Sequence, residues 1–237
     1  MSRDKRQQGS SSQPDTAAPR AAVPWTLKDV IGVYLCVVVG VIGGLIAGHS
    51  VTQQAWVAVT LARYTGGLIA LWVPIRFIRI RYGLSKGALG LKCGKLHLRT
   101  SVALGIGLAV AYFLIVRIYL FQNPIAFGSH LLTWVLLPLF PYGFASTVLV
   151  PLSEEVLHRG FLYAYLRTVL GKWPALVLQA VMFTALHLRL ADPSWSYGIH
   201  LADVFLLGLA FGFLYEHTES LYPSIVCHGT INYLAIL

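Results

Sequence analysis

Apolar runs long enough to cross a bilayer recur along this chain, and they restrict what it can fold into. A hydrocarbon core of roughly 30 Å is crossed by about 20 helical residues. Segments 30–48, 55–75 and 101–121 each offer such a run, and only Arg63 and Arg117 interrupt them with formal charge. Charged residues make up 11% of the chain and apolar ones 57%, whereas soluble domains carry roughly 25% charged residues. The expected fold class is therefore all-α: a polytopic transmembrane helical bundle of about seven or eight membrane helices.

The net charge of +9 could suggest a nucleic-acid partner, but the cations are not spread as such a surface requires. Arg3, Lys5, Arg6, Arg20 and Lys28 precede the first run, and Arg76, Arg79, Arg81, Lys86, Lys92, Lys95 and Arg99 follow the second. Both clusters flank apolar runs separated by two crossings, which is the positive-inside distribution of cytoplasmic segments. No nucleic acid is expected as a partner; the lipid bilayer is. The protein is expected to be integral to a membrane, a prokaryotic inner (plasma) membrane, with its N-terminus cytoplasmic. Residues 1–24, rich in Ser, Gln and Pro, cannot bury enough surface to offset the entropy of ordering and are expected to form a disordered cytoplasmic leader. Residues 25–130 then hold the N-terminal transmembrane helices, and 131–237 a second transmembrane core. Gly40, Gly43, Gly44 and Gly48 in the first run should let another helix approach closely. Cys36, Cys93 and Cys227 lack metal-type spacing and are expected to be packing residues.

After Asp29 no acid occurs until Glu154 and Glu155 arrive side by side in an apolar stretch from 131 to 170, punctuated by Pro138, Pro141 and Pro151. Ionisable residues at such positions mark function by default. The prolines leave open whether this stretch is one kinked helix, two spans, or a re-entrant segment plus a span. A helix starting near Pro151 would place both acids in its first turn. Segments 174–188, 201–215 and 221–237 are the remaining helix candidates, with a loop at 189–199; Asp203 would then lie in a first turn and outside any site.

Residues four apart share a helical face. Glu154 is thus expected beside His158, and Glu155 beside Arg159 as an intramembrane ion pair. His187, four residues after Phe183, lies in a second apolar helix, and His228 with Asn232 forms a polar face on a third. A carboxylate and an imidazole can hold and deprotonate a water, which gives Glu154 the role of general base. His228 and Asn232 can donate to the oxyanion formed when water adds to an amide carbonyl. Arg63 and Arg117 are expected to be structural, Arg117 snorkelling and Arg63 facing the bundle with backbone partners.

The ordered trio Glu154-Glu155-x-x-x-Arg159, Phe183-x-x-x-His187 and His228-x-x-x-Asn232 resembles the motif set of the CPBP family, the CAAX prenyl protease and bacteriocin-processing (Abi) intramembrane proteases. The resemblance covers about 149–237. It implies an intramembrane endopeptidase acting on a membrane-tethered or lipidated protein or peptide. In it Glu154 and His187 activate water, His228 and Asn232 form the oxyanion hole, and Glu155, Arg159 and Phe183 support them. His158 departs from the pattern, which usually has an aromatic residue before the arginine; it either tunes Glu154 or is a hydrogen-bonded substitute. The chain has no HExxH, and a mechanism without a cofactor is favoured. Were a divalent metal such as zinc involved, Glu154, His187 and His228 would be its ligands. Two alternatives stay open: a non-catalytic scaffold or immunity-type protein acting through a partner, and a transporter using the same residues as an ion site.

Overall fold

The computed structural model describes residues 22–51, 54–116, 140–188 and 195–236. Among them are seven helices and one short 3-10 turn at Lys86–Leu89, and no strand. The helices are α1 (Leu27–Val51), α2 (Ala55–Tyr82), α3 (Leu98–Phe113), α4 (141–170), α5 (Lys172–Ala185), α6 (Trp195–Thr218) and α7 (Tyr222–Ile236). Four of them are long and apolar enough to cross a membrane: α1, α2, α3 extended to Val116, and α6. The outward surface agrees, because Leu35, Val39, Ile46, Trp56, Trp72, Ile115 and Leu206 are exposed while Glu155, Arg159 and Gln179 are buried. A bundle with its apolar residues outside and its charges inside fits lipid, not water. Arg117 and the 117–139 segment lie outside the described residues.

Local signals explain the ends of the first hairpin. The Thr26 backbone N–H and hydroxyl both donate to the Asp29 carboxylate, at 2.7 and 2.9 Å, which caps the start of α1. Tyr82 at the end of α2 donates to the same carboxylate at 2.8 Å, so the two helix ends meet. Gly83, at φ 68°, closes α2 with its N–H on the Arg79 carbonyl. Midway along the pair, a Cβ on Gly44 or Gly48 would collide with the backbone of Ala62 or Ala58. The small residues therefore set the distance between α1 and α2, as expected for all but Gly43, which has no neighbour within 4 Å. Of the cysteines only Cys227 is buried; Cys36 and Cys93 are exposed and do not pack in the core.

Pro138 and residues 131–139 lie outside the described residues, and the described remainder of this stretch, from 141 to 170, is one helix. α4 comprises Pro141–Phe144, Ala145–Leu149, Val150–Glu154, Glu155–Tyr163 and Ala164–Leu170, and every junction residue keeps right-handed helical angles. Pro141, not Pro151, starts it, since a proline at the first helical position loses no needed hydrogen bond. Pro151 lies inside, and Ala145–Leu149, which ends two residues before it, widens into a π-helix. This accommodates a residue that has no N–H to return to the preceding turn. Glu154 and Glu155 are accordingly in mid-helix, not in a first turn.

α4 is the central element: it packs on α2, α5, α6 and α7, while α1 lies on α2, α3 on α7 and α5 on α6. The loop after α2 closes the end of the bundle, with Lys95 N–H on the Thr218 carbonyl and Leu221 N–H on the Gly90 carbonyl. Two sequence expectations are corrected in the last third. α6 begins at Trp195, so residues 195–199 are helical, not loop, and Asp203 lies two turns in. There Asp203 accepts a 2.5 Å hydrogen bond from Tyr112, which ties α6 to α3.

Candidate active site

A cavity of about 600 Å³ opens between α1, α2 and α4 and reaches the end of α5 and the middle of α7. Glu154, His158, His187, His228 and Asn232 all line it, together with Tyr34, Arg63, Ser146 and Ser153. The remaining wall, from Val37, Val41 and Leu45 of α1 to Val59, Gly66 and Ala70 of α2, is mostly apolar.

The two glutamates have different surroundings. Glu155 is fully buried, and its Oε1 accepts from Arg159 Nη1 at 2.9 Å and from His228 Nδ1 at 3.0 Å. Arg159 adds a 3.3 Å hydrogen bond to the Gly208 carbonyl, and its guanidinium lies 4.4 Å from the Phe183 ring and 5.2 Å from the Phe211 ring. The expected ion pair is present, and Glu155 has a second task that spacing did not reveal: it fixes the ring of His228. A carboxylate can only accept here, so Nδ1 carries the proton and Nε2 is the nitrogen turned to the cavity. Nε2 lies 3.7 Å from Glu154 Oε2. That Oε2 is buried and makes no hydrogen bond, although the Glu154 side chain as a whole is 26% exposed.

Glu154 does not pair with His158 as the four-residue spacing suggests. It turns toward α7, and His158, only 1% exposed, engages Tyr34 of α1 through Nδ1 at 2.9 Å. His158 also meets the Phe183 ring edge-on at 5.2 Å, as an aromatic residue would, so the structure places it as a hydrogen-bonded substitute.

His187 lies beyond the end of α5, not within it, in the turn that follows Ala185. Its Nδ1 donates to the Phe183 carbonyl at 2.9 Å, satisfying one of the acceptors a helix end leaves over. That bond sets the tautomer and puts the ring's lone pair on Nε2. Phe183 is the hub of the cluster, with ring centroids 4.8 Å from His187 and 6.0 Å from His228. Phe211 stacks on the other side of His228 at 5.0 Å.

Asn232 donates through Nδ2 to the Ser146 carbonyl at 3.0 Å. That carbonyl lies five residues before Pro151, in the π segment, where an N–H at position 151 would otherwise compete for it. The same amide nitrogen has a second hydrogen to offer. α7 approaches α4 closely here because position 229 is glycine: a Cβ would come within 2.6 Å of the Thr147 carbonyl oxygen.

Among the described residues no group of three or more His, Cys, Asp or Glu side chains is disposed to hold a metal ion, so Glu154, His187 and His228 do not form such a set. Tyr34, Arg63, Ser146 and Phe211 escaped sequence reading. Arg63 alone carried a signal, a cation in an apolar run, but its partners are a side chain and a ring, not the backbone groups expected. Its Nη1 donates to Ser146 Oγ at 2.8 Å and its guanidinium lies 4.6 Å from the Tyr142 ring.

No curated protein and no solved structure significantly matches the chain. Residues 134–234 match the family model described as Rce1-like, type II CAAX prenyl endopeptidase Rce1-like. These residues contain α4 through most of α7, and with them Glu154, Glu155, Arg159, His187, His228 and Asn232. The C-terminal part of this integral membrane protein is therefore similar to the Rce1-like type II CAAX prenyl endopeptidases over residues 134–234.

Proposed function

We propose that the protein is a glutamate-dependent intramembrane endopeptidase that hydrolyses a peptide bond of a lipidated or membrane-tethered substrate, with Glu154 as general base. The observation that carries this reading is the convergence of Glu154, His187, His228 and Asn232 on one cavity, with Glu154 Oε2 3.7 Å from His228 Nε2.

The chemistry follows from the tautomers. A water between Glu154 and His187 Nε2 gives a proton to the carboxylate as its oxygen adds to the substrate carbonyl. The resulting oxyanion accepts from the second amide hydrogen of Asn232 and from Nε2–H of His228. Because Nδ1–H is committed to Glu155, donation from Nε2 requires a ring that carries a proton on both nitrogens. Glu154 then returns its proton to the leaving nitrogen, the carbon–nitrogen bond breaks, and a carboxylic acid and an amine are released. No step calls on a cofactor. The substrate is peptide held by lipid, which the apolar wall from α1 and α2 suits.

The test is cleavage in lipid nanodiscs of quenched fluorogenic peptides bearing S-farnesyl or fatty-acyl anchors, the cut bond being identified by mass spectrometry. Glu154→Gln should reduce the rate by about 10²–10⁴ with the protein still folded, as expected for loss of a general base. Cleavage that survives Glu154→Gln but disappears with a chelator would replace this mechanism with a metal-dependent one.

A further inference from the structure

Arg63 lies on α2, outside the segment that matches the family model, eight residues after the helix start and so about 12 Å along its axis. Among the described residues, Arg159 is neutralised by Glu155 at 2.9 Å and Arg167 by Glu216 at 3.1 Å. Arg63 has no acid within ion-pair distance among the described residues. Of its five N–H donors, Nη1 alone makes a hydrogen bond among the described residues, to Ser146 Oγ, and the Tyr142 ring supports the guanidinium from one side. These contacts aim the group without neutralising it. Its position relative to the chemistry is fixed through one residue: Ser146 accepts Arg63 on its hydroxyl and Asn232 on its carbonyl, at 2.8 and 3.0 Å. Arg63, Asn232, Glu154 and His187 line the same cavity.

An uncompensated guanidinium at membrane depth calls for an anion, and its planar fork matches a carboxylate through two parallel hydrogen bonds. We propose that Arg63 is a specificity-determining residue that binds a carboxylate of the substrate peptide, either its free C-terminus or an acidic side chain next to the scissile bond. This rests on the endopeptidase reading for what enters the cavity, but it concerns binding, and it can fail while that reading stands.

The experiment therefore measures binding in a background that does not cleave. Glu154→Gln protein in phosphatidylcholine nanodiscs is titrated with three fluorescent S-farnesyl-cysteinyl tetrapeptides: one with a free C-terminal carboxylate, the same peptide as its amide, and the amide with aspartate as its last residue. The free acid or the aspartyl amide should bind about tenfold or more tightly than the plain amide, the range of a charge-assisted bidentate pair. Whichever of them does so identifies the source of the carboxylate. Adding Arg63→Gln should abolish that preference, and adding Arg63→Lys should retain part of it. Equal affinities for all three peptides, including no binding of any, would overturn the proposal. So would a preference that persists in Arg63→Gln, or an Arg63→Gln effect that weakens the plain amide as much as the acids. Loss of the cleavage reading itself would be seen separately, in the Glu154→Gln rate comparison.

Discussion

Asn232 and Arg159 show how differently two polar residues in one apolar setting can act. Asn232 has one amide hydrogen on the Ser146 carbonyl and, in the proposed mechanism, gives the other to the reacting oxygen. Asn232→Ala should therefore lower kcat by about 10², the cost of one oxyanion donor of about 3 kcal/mol, and leave KM nearly unchanged in the nanodisc assay. Arg159 is fully buried with its partner Glu155, so Arg159→Ala strands a carboxylate and should destabilise the fold by about 3–5 kcal/mol, measurable by denaturation in detergent. Replacing both members with methionine should recover much of the stability without recovering activity, because His228 then loses the acceptor that orients it. The ion pair could be read from four-residue spacing alone. The bond from His228 to Glu155 could not, because it joins residues 73 apart in sequence, and no local pattern encodes which of two adjacent carboxylates a distant ring will choose.

At the level of the element, α4 is where sequence reasoning was least complete. Three prolines in an apolar run are compatible with breaks, kinks or a helix start, and the choice depends on whether neighbouring helices can satisfy the carbonyls a proline leaves over. Here α7 does so: Asn232 takes the Ser146 carbonyl, and Gly229 lets the helices approach closely enough for the contact. Gly229→Ala should push α7 away from the Thr147 carbonyl, whose oxygen would lie 2.6 Å from the new Cβ. Because that obstacle is backbone, the expected outcome is loss of cleavage together with a lowered unfolding temperature, and a wild-type rate in this variant would contradict the described packing. The close approach of α1 and α2, by contrast, was legible in advance, because small residues spaced along one apolar run act through their size alone.

For the molecule as a whole, the matched family segment supplies the polar wall of the cavity, and α1 and α2 supply the opposite one. Hydropathy was enough to recognise those two helices as spans but not to show that Tyr34 and Arg63 face the site, since facing is a tertiary property. Their crossing can be checked by labelling. In a Cys36→Ala background, native Cys93, exposed after α2, and a Ser50→Cys substitution in the last turn of α1 should react with a membrane-impermeant maleimide from opposite faces of sealed vesicles. Labelling of both from one face would remove α2 as a span. Mid-helix placement of Glu154 has a consequence for delivery. The residue lies thirteen positions after Pro141 and sixteen before Leu170, so either end of α4 is at least roughly 20 Å away along its axis. An extended chain needs about six residues to cover that distance. For the proposed hydrolase, a folded cargo must stay outside while a slack tail of at least that length feeds inward, which makes tail length, and not the stability of the attached domain, the ruler by which substrates are admitted.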